Sequence, residues 1–196
     1  MPKTLFYIFF LIIVIHSCKE ENQSKEIEIS NQFKLEFLNQ ILSDTNKLRI
    51  ITSKEQLIAT GDLTPGMMPM GSESGKSISH FKFISDSLGV NDIEFIKKQF
   101  VDNKEFDFNK LADYGFRVLD IENFKNLNDS ISLYDYTEKI NKGFNSYYRV
   151  IITKPIFNKS LNKAYVMIND YGGRTIVLEK RNGIWEIVSQ FHDYME

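Results

Sequence analysis

The chain of 196 residues is slightly acidic, with 24 Lys and Arg against 26 Asp and Glu and a formal net charge of −2. It shows no basic stripe, which argues against nucleic acid as a partner. Its single cysteine excludes an intramolecular disulfide and a zinc–thiolate cluster. The 16 Phe and 9 Tyr supply enough apolar surface for one hydrophobic core.

Residues 1–17 have the order of a secretory signal. Lys3 precedes an unbroken run of 11 apolar residues, Leu5 to Ile15, and Ser17 stands just before Cys18. A helix of this length spans about 16 Å, whereas the hydrocarbon core of a bilayer is about 30 Å thick. The run therefore predicts the core of a signal peptide and not a membrane span.

The segment Ile15-His16-Ser17-Cys18 resembles the lipobox of bacterial lipoproteins, in which the cysteine is acylated and becomes the first residue. The resemblance implies that Cys18 carries the lipid that holds the protein on the membrane. A plain signal peptide with an incidental cysteine is the alternative. If Cys18 is lipidated, no thiol is left for catalysis or metal binding.

Lys19, Glu20 and Glu21 follow the cysteine and resemble the surface-export signal of Bacteroidota lipoproteins. The alternative is a generic charged tether. These resemblances imply an outer-membrane lipoprotein of the bacterial cell envelope, displayed on the cell surface if the export signal is read.

Residues 18–31 are charged and nearly free of large apolar groups, which predicts a lipidated N-terminus followed by a flexible tether. Residues 32–196 are predicted to form one α+β domain. It begins with a helix, because apolar residues repeat at helical spacing from Phe33 onward. Ser30 or Asn31 is available as its N-cap.

Two short elements are predicted next. Residues 48–52 are apolar and β-branched enough for a strand. Ser53 and Gln56 have capping-box spacing, which predicts a short helix that ends at Gly61.

Residues 62–80 contain two Pro and three Gly, which exclude regular structure. This predicted loop carries Met67, Met68 and Met70, whose flexible apolar side chains suit a ligand or partner surface. The alternative is that these methionines pack back onto the core.

A second helix is predicted to begin at the capping pair Asn91 and Glu94 and to end near Asn103. One face of this helix is lined by Ile93, Ile96, Phe100 and Val101. Three elements follow: a short helix capped by Asp107 and closed by Gly115, a strand over residues 116–121 and a helix over residues 131–142.

The C-terminal part is predicted to be a four-stranded antiparallel meander on which the helices pack. Asn182-Gly183 is the strongest local signal, because it favours a tight hairpin turn. Trp185 is expected to be buried against the helix that contains Ile96 and Phe100. The predicted strands are residues 147–153, 163–169, 174–180 and 184–190.

Three C-terminal segments, residues 154–158, 163–166 and 176–187, are similar to a group of exported bacterial proteins. Their shared pattern is Pro-Ile-Phe, a strand, a Gly-rich turn and a Gly-x-Trp hairpin. The same hairpin ends many cystatin-like and NTF2-like α+β domains, so the resemblance implies a fold of that kind and no activity. Where the group often has cysteines, this chain has Asp170-Tyr-Gly-Gly173.

No catalytic residue, metal site or cofactor is predicted, because the sequence contains no nucleophile-elbow, zincin, P-loop or dinucleotide-binding pattern. His80 and His192 are the histidines that follow Cys18, and nothing in their spacing makes them a metal site. Tyr171 and Arg174 flank the Gly-rich turn and are placed to bind an anion or a sugar. A surface turn with no ligand is the alternative.

The predicted function is that of a non-enzymatic binding or interaction module held at the envelope, an immunity-type or inhibitor protein being one version. The alternative is an envelope hydrolase that uses carboxylates and His192. A pocket lined by carboxylates with shifted pKa values would favour the enzyme. An exposed apolar patch at residues 67–70 would favour a protein partner.

Overall fold

The computed structural model describes residues 27–61, 79–120, 149–169 and 173–192, together with residue 135. Within these residues the helices are α1 (Asn31–Ser43), α2 (His80–Leu88) and α3 (Ile93–Asp102), with short 3₁₀ helices at Asn103–Glu105 and Phe108–Tyr114. The strands are β1 (Leu57–Gly61), β2 (Arg117–Asp120), β3 (Val150–Thr153), β4 (Ile156–Phe157), β5 (Lys163–Asn169), β6 (Gly173–Arg181) and β7 (Ile184–His192).

The strands form one mixed sheet in the order β2-β1-β3-β5-β6-β7. The short strand β4 also pairs with β5, next to the part of β5 that pairs with β3. β1 runs parallel to β2 and β3, and the remaining pairs are antiparallel. The predicted α+β class is confirmed. The predicted four-stranded meander is wrong as an account of the sheet, because the four predicted strands (β3, β5, β6 and β7) are extended by β4 and by the parallel strands β1 and β2.

Both faces of the sheet are covered. α1 and the second 3₁₀ helix pack on one face, in a core that contains Phe37, Leu38 and Val166. α2 and α3 pack on the other face, in a cluster that contains Ile96 and Tyr165. Because both faces of the sheet are covered, a strand inside it is buried on both sides. The first four residues of β1 are accordingly all buried.

Trp185 is buried as predicted, with 3% of its surface exposed. Its predicted packing partner is wrong. Its ring meets Phe37 of α1 edge to face, with 4.8 Å between the centroids, whereas Ile96 and Phe100 belong to the opposite face. Alternate residues of a strand point to opposite faces, so the register of β7 decides which helix Trp185 meets.

The predicted strand at residues 48–52 and the predicted helix ending at Gly61 are both wrong. Residues 48–56 form turns, in which Gln56 Oε1 accepts hydrogen bonds from Thr52 N at 2.8 Å and Thr52 Oγ1 at 3.1 Å. The polar spacing that resembled a capping box therefore closes a turn, and the chain then enters β1.

α2 was not predicted, although both of its ends carry local signals. Ser79 Oγ accepts a hydrogen bond from Lys82 N, and Gly89 ends the helix at φ 66°. α3 is capped by Asp92, one residue after the predicted Asn91. Val101 is not on its buried face, because 63% of its surface is exposed.

Two further predictions of local structure are confirmed. Asp107 caps the second 3₁₀ helix, and Gly115 closes it at φ 83°. Asn182 and Gly183 take φ values of 51° and 84°, as a tight hairpin turn requires. The helix predicted at residues 131–142 lies outside the described residues except for Asp135. Among the described helices, none has the length and apolar character needed to cross a membrane.

Candidate functional site

A pocket of about 290 Å³ opens where α1 begins and α3 ends. It is bordered by charged side chains from both helices and from the residues that flank them. Two amines and three carboxylates contribute to the wall, with a few apolar and neutral polar groups between them. The lining residues are Glu28, Ile29, Ser30, Asn31, Lys34, Lys98, Val101, Asp102 and Glu105.

The start of α1 is fixed in place by its cap and by the core. Ser30 Oγ accepts a hydrogen bond from Phe33 N at 3.2 Å, which satisfies one of the free N–H groups of the first turn. Ile29, just before the cap, is already buried in the core of the α1 face. The residues that lead into α1 therefore form one wall of the pocket.

Lys34 is the central charged group of this site, because only 1% of its surface is exposed. Its Nζ donates to Asn103 Oδ1 at 2.7 Å and lies 5.6 Å from the centre of the Phe106 ring. An ammonium group has three N–H donors, and among the described residues only Asn103 accepts one. Burial lowers the pKa of Lys34, an effect that nearby Asp102 partly offsets and Lys154 reinforces.

Asn103 is held by the segment that joins β3 to β4. Its Nδ2 donates to Pro155 O at 3.2 Å, so its oxygen is turned toward Lys34. One turn earlier, Gln99 hydrogen-bonds to the backbone of Phe157 through both its amide nitrogen and its amide oxygen. The position of the Lys34 ammonium is thus coupled through α3 to β4.

The two helix ends give the pocket opposite electrostatic poles. α1 presents its N-terminus, which is partially positive, with no acidic residue in the first turn, and Glu28 lines the pocket two residues before the N-cap Ser30. α3 presents its C-terminus, which is partially negative, together with Asp102 and Glu105, and Lys98 lines the pocket one turn earlier in that helix. The arrangement can hold an anionic group at one pole and a cationic group at the other.

Most of the predicted site residues lie outside the described residues. These are Cys18, Lys19, Glu20, Glu21, Met67, Met68, Met70 and Tyr171. Arg174 is described, and its Nη2 donates to Arg49 O at 3.1 Å. This contact joins β6 to the turn that precedes β1, and the predicted binding role of Arg174 stays a prediction.

The two histidines that follow Cys18 differ in what the structure shows of their surroundings. His80, in the first turn of α2, is 4% exposed and lies 6.4 Å from Phe100 and 6.5 Å from Tyr165 between ring centroids. Neither of its ring nitrogens has a hydrogen-bond partner among the described residues, and burial lowers its pKa. The backbone of His192 ends β7, and its side chain is not described.

The described residues contain no group of three or more His, Cys, Asp or Glu able to hold a metal ion. The carboxylates of the pocket come from residues 28, 102 and 105, and no lining residue comes from β7. This pocket therefore does not bring carboxylates together with His192.

The sequence reasoning missed Lys34, Asp102, Asn103 and Glu105. One local signal was present, because Lys34 shares a helical face with Leu38 and Ile41, both fully buried. A lysine inside an apolar stripe marks a buried amine that needs a partner. The partner residues carry no comparable signal, since only the fold brings α3 to the start of α1.

Among protein-family models, curated proteins and solved structures, none matches this chain. No relative's activity or ligand is therefore carried over to it. The geometry of the pocket and the pattern of the N-terminal sequence are the observations that bear on its function.

Proposed function

We propose that the chain is a bacterial envelope lipoprotein, anchored through an acylated Cys18, whose domain acts by binding a ligand and not by catalysis. One observation carries the binding role: a charged pocket at the start of α1, beside a buried ammonium that makes one hydrogen bond among the described residues. Sites for small ligands are concave and use a few well-placed polar groups, as this pocket does.

The N-terminal sequence supports the anchor. The apolar run from Leu5 to Ile15 has the length of a signal-peptide core, and Cys18 is the only thiol in the chain. Acylation needs a cysteine, and the one available stands directly after the small residue Ser17.

The length of the segment between lipid and domain supports a pocket near the membrane. From Cys18 to buried Ile29 the chain can span at most roughly 40 Å, even when fully extended. A domain of this size is itself about 40 Å across. The pocket, which is lined by residues on either side of Ile29, would therefore stay within about one domain diameter of the lipid surface.

The competing function, an envelope hydrolase, makes a different demand on the site. It needs a carboxylate within hydrogen-bond reach of His192 or of the reacting group. Of the carboxylates that line the pocket, Asp102 interacts electrostatically with the Lys34 ammonium. This favours recognition of charge over acid–base chemistry with a histidine.

Cell fractionation tests the proposal. Cys18→Ala should move the protein out of the membrane fraction and abolish labelling by a fatty-acid analogue. Ser17→Ala, which keeps a small residue before the cysteine, is the matched control and should stay labelled. Equal labelling of the Cys18→Ala protein would refute the anchor, and substrate turnover that His192→Ala abolishes without unfolding would refute the binding role.

A further inference from the structure

We propose that the pocket between α1 and α3 binds a small zwitterion, in which an anionic oxygen group and a primary ammonium are a few bonds apart. The headgroup of an ethanolamine phospholipid and a free amino acid both have this chemistry. The inference deepens the proposed function by naming the ligand of its pocket, and the lipid source depends on the anchor at Cys18.

The anionic end of the ligand is assigned to Lys34 and the first turn of α1. Lys34 is almost fully buried, yet its ammonium donates only to Asn103 Oδ1 among the described residues. A buried charge without full hydrogen bonding is costly, and an anionic oxygen in the pocket would accept the donors that are left over. The N-terminus of α1, which lines the same pocket, adds partial positive charge, while the Lys34 ammonium itself lies beside Asn103 and is attracted by Asp102.

The cationic end is assigned to the C-terminus of α3. Asp102 is the last residue of that helix, and Glu105 lies in the 3₁₀ turn that follows. Both line the pocket, and the helix end adds partial negative charge. A primary ammonium has three donors to offer these acceptors, whereas a quaternary ammonium has none.

The size and the remaining wall of the pocket limit what can enter. A volume of about 290 Å³ holds a headgroup or an amino acid and is too small for a folded partner or a long polymer. Val101 lines the pocket and is largely exposed, and Ile29 supplies a second apolar side chain. These two residues are placed to cover the carbon linker between the charged ends.

Titration of the full-length protein, purified in detergent, with O-phosphoethanolamine tests the proposal. We expect saturable binding that is about tenfold weaker, or worse, for inorganic phosphate alone, for ethanolamine alone and for phosphocholine, since each lacks one charge or the N–H donors. No saturable binding of the zwitterion by the wild-type protein, or phosphate alone binding as tightly, would overturn the proposal.

Two variants and two matched controls assign the poles. Lys34→Met should abolish binding, and Glu105→Gln should weaken it at least about tenfold while leaving inorganic phosphate binding unchanged. Lys97→Met and Glu94→Gln change the same residue types on α3 outside the pocket and should bind normally. If Lys34→Met does not fold, Glu105→Gln still decides, and normal binding by that variant would overturn the cationic pole.

Vesicles separate the two sources of the ligand. In mixed phosphatidylethanolamine–phosphatidylcholine vesicles the headgroups should compete with the soluble probe, and in phosphatidylcholine vesicles they should not. Competition assigns the lipid headgroup. If there is no competition and glycine binds as tightly as O-phosphoethanolamine, the source is a free amino acid. The competition and glycine measurements do not use the Cys18→Ala fractionation. An error in the proposed ligand can therefore be told apart from an error in the proposed anchor.

Discussion

Gln99 and Phe157 are joined by two hydrogen bonds. Gln99 Nε2 donates to Phe157 O at 2.8 Å, and Phe157 N donates to Gln99 Oε1 at 2.8 Å. Asn158 N donates to Lys163 O on the β5 side, so the neighbouring Phe157 turns its backbone groups away from β5. The amide of Gln99 therefore takes the place of the next strand at the outer edge of β4.

The Pro-Ile-Phe pattern has the same physical explanation. Pro155 has no N–H to leave unpaired at an edge, and its carbonyl oxygen accepts from Asn103 Nδ2. β3 and β4 both pair with β5. Ile152 and Ile156 are four positions apart in the sequence, whereas their β5 partners, Ile168 and Tyr165, are three positions apart. One extra residue therefore bulges out between β3 and β4. The bulge turns this edge toward α3, which covers it.

Gln99→Met should be strongly destabilising, because the apolar side chain fits the space but leaves two backbone groups unpaired. We expect a loss of about 2–4 kcal/mol, measured by urea unfolding. Lys97→Met is the control, since Lys97 is exposed on the same helix and should change stability by less than about 0.5 kcal/mol. Equal midpoints for the two variants would contradict the role of Gln99.

Trp185→Ala should cost about 3–5 kcal/mol, because it removes a buried indole from the core beneath α1. Ile184→Ala is the neighbouring control. Ile184 has 56% of its surface exposed, so this substitution should have little effect. A double-mutant cycle identifies the partner. Coupling with Phe37 of about 0.5–1.5 kcal/mol, and none with Phe100, is expected from the edge-to-face contact. Coupling with Phe100 and none with Phe37 would instead place Trp185 against α3.

His80 should make the domain less stable in mild acid. Burial lowers its pKa below the ordinary value of 6.5, so the unfolded chain binds the proton more readily. Stability is therefore complete above pH 6.5 and is lost as the pH falls through the folded pKa. Tm measured between pH 7.5 and 5.5 should fall, each kcal/mol being worth about 2–4 °C.

His80→Phe should flatten this slope, because the ring volume is kept and the proton site is removed. The carboxylates Asp92 and Glu186 do not confuse the measurement. Hydrogen bonds from Lys159 and Lys47, respectively, lower their pKa values further from this pH range. An unchanged slope in the His80→Phe protein would assign the acid sensitivity to another group.

Elements with local signals could be predicted from the sequence. The hairpin at Asn182-Gly183 needs φ > 0 at both positions, which those residues tolerate, and β5 was predicted with its observed bounds. β1 could not be predicted, because its partners β2 and β3 are distant in sequence and its short apolar run has no strand period. The pocket depends on the same distant contacts, so Lys34 was visible in the sequence and its surroundings were not.

The last prediction concerns export, which decides whether the pocket faces the periplasm or the exterior. Lys19, Glu20 and Glu21 stand directly after Cys18, the proposed site of acylation, where a sorting component would read charge next to the acyl chains. Replacement of all three by Ala should leave the protein labelled by a fatty-acid analogue but protected from protease added to intact cells. Replacement of Lys25 and Glu26 by Ala is the matched control, because it removes the same charge types farther from Cys18 and should leave protease sensitivity unchanged. Equal sensitivity of the wild-type and the triple variant would mean that these residues act only as a charged spacer. Loss of sensitivity in both variants would instead show that charged residues anywhere in the segment, and not the position of these three, govern display.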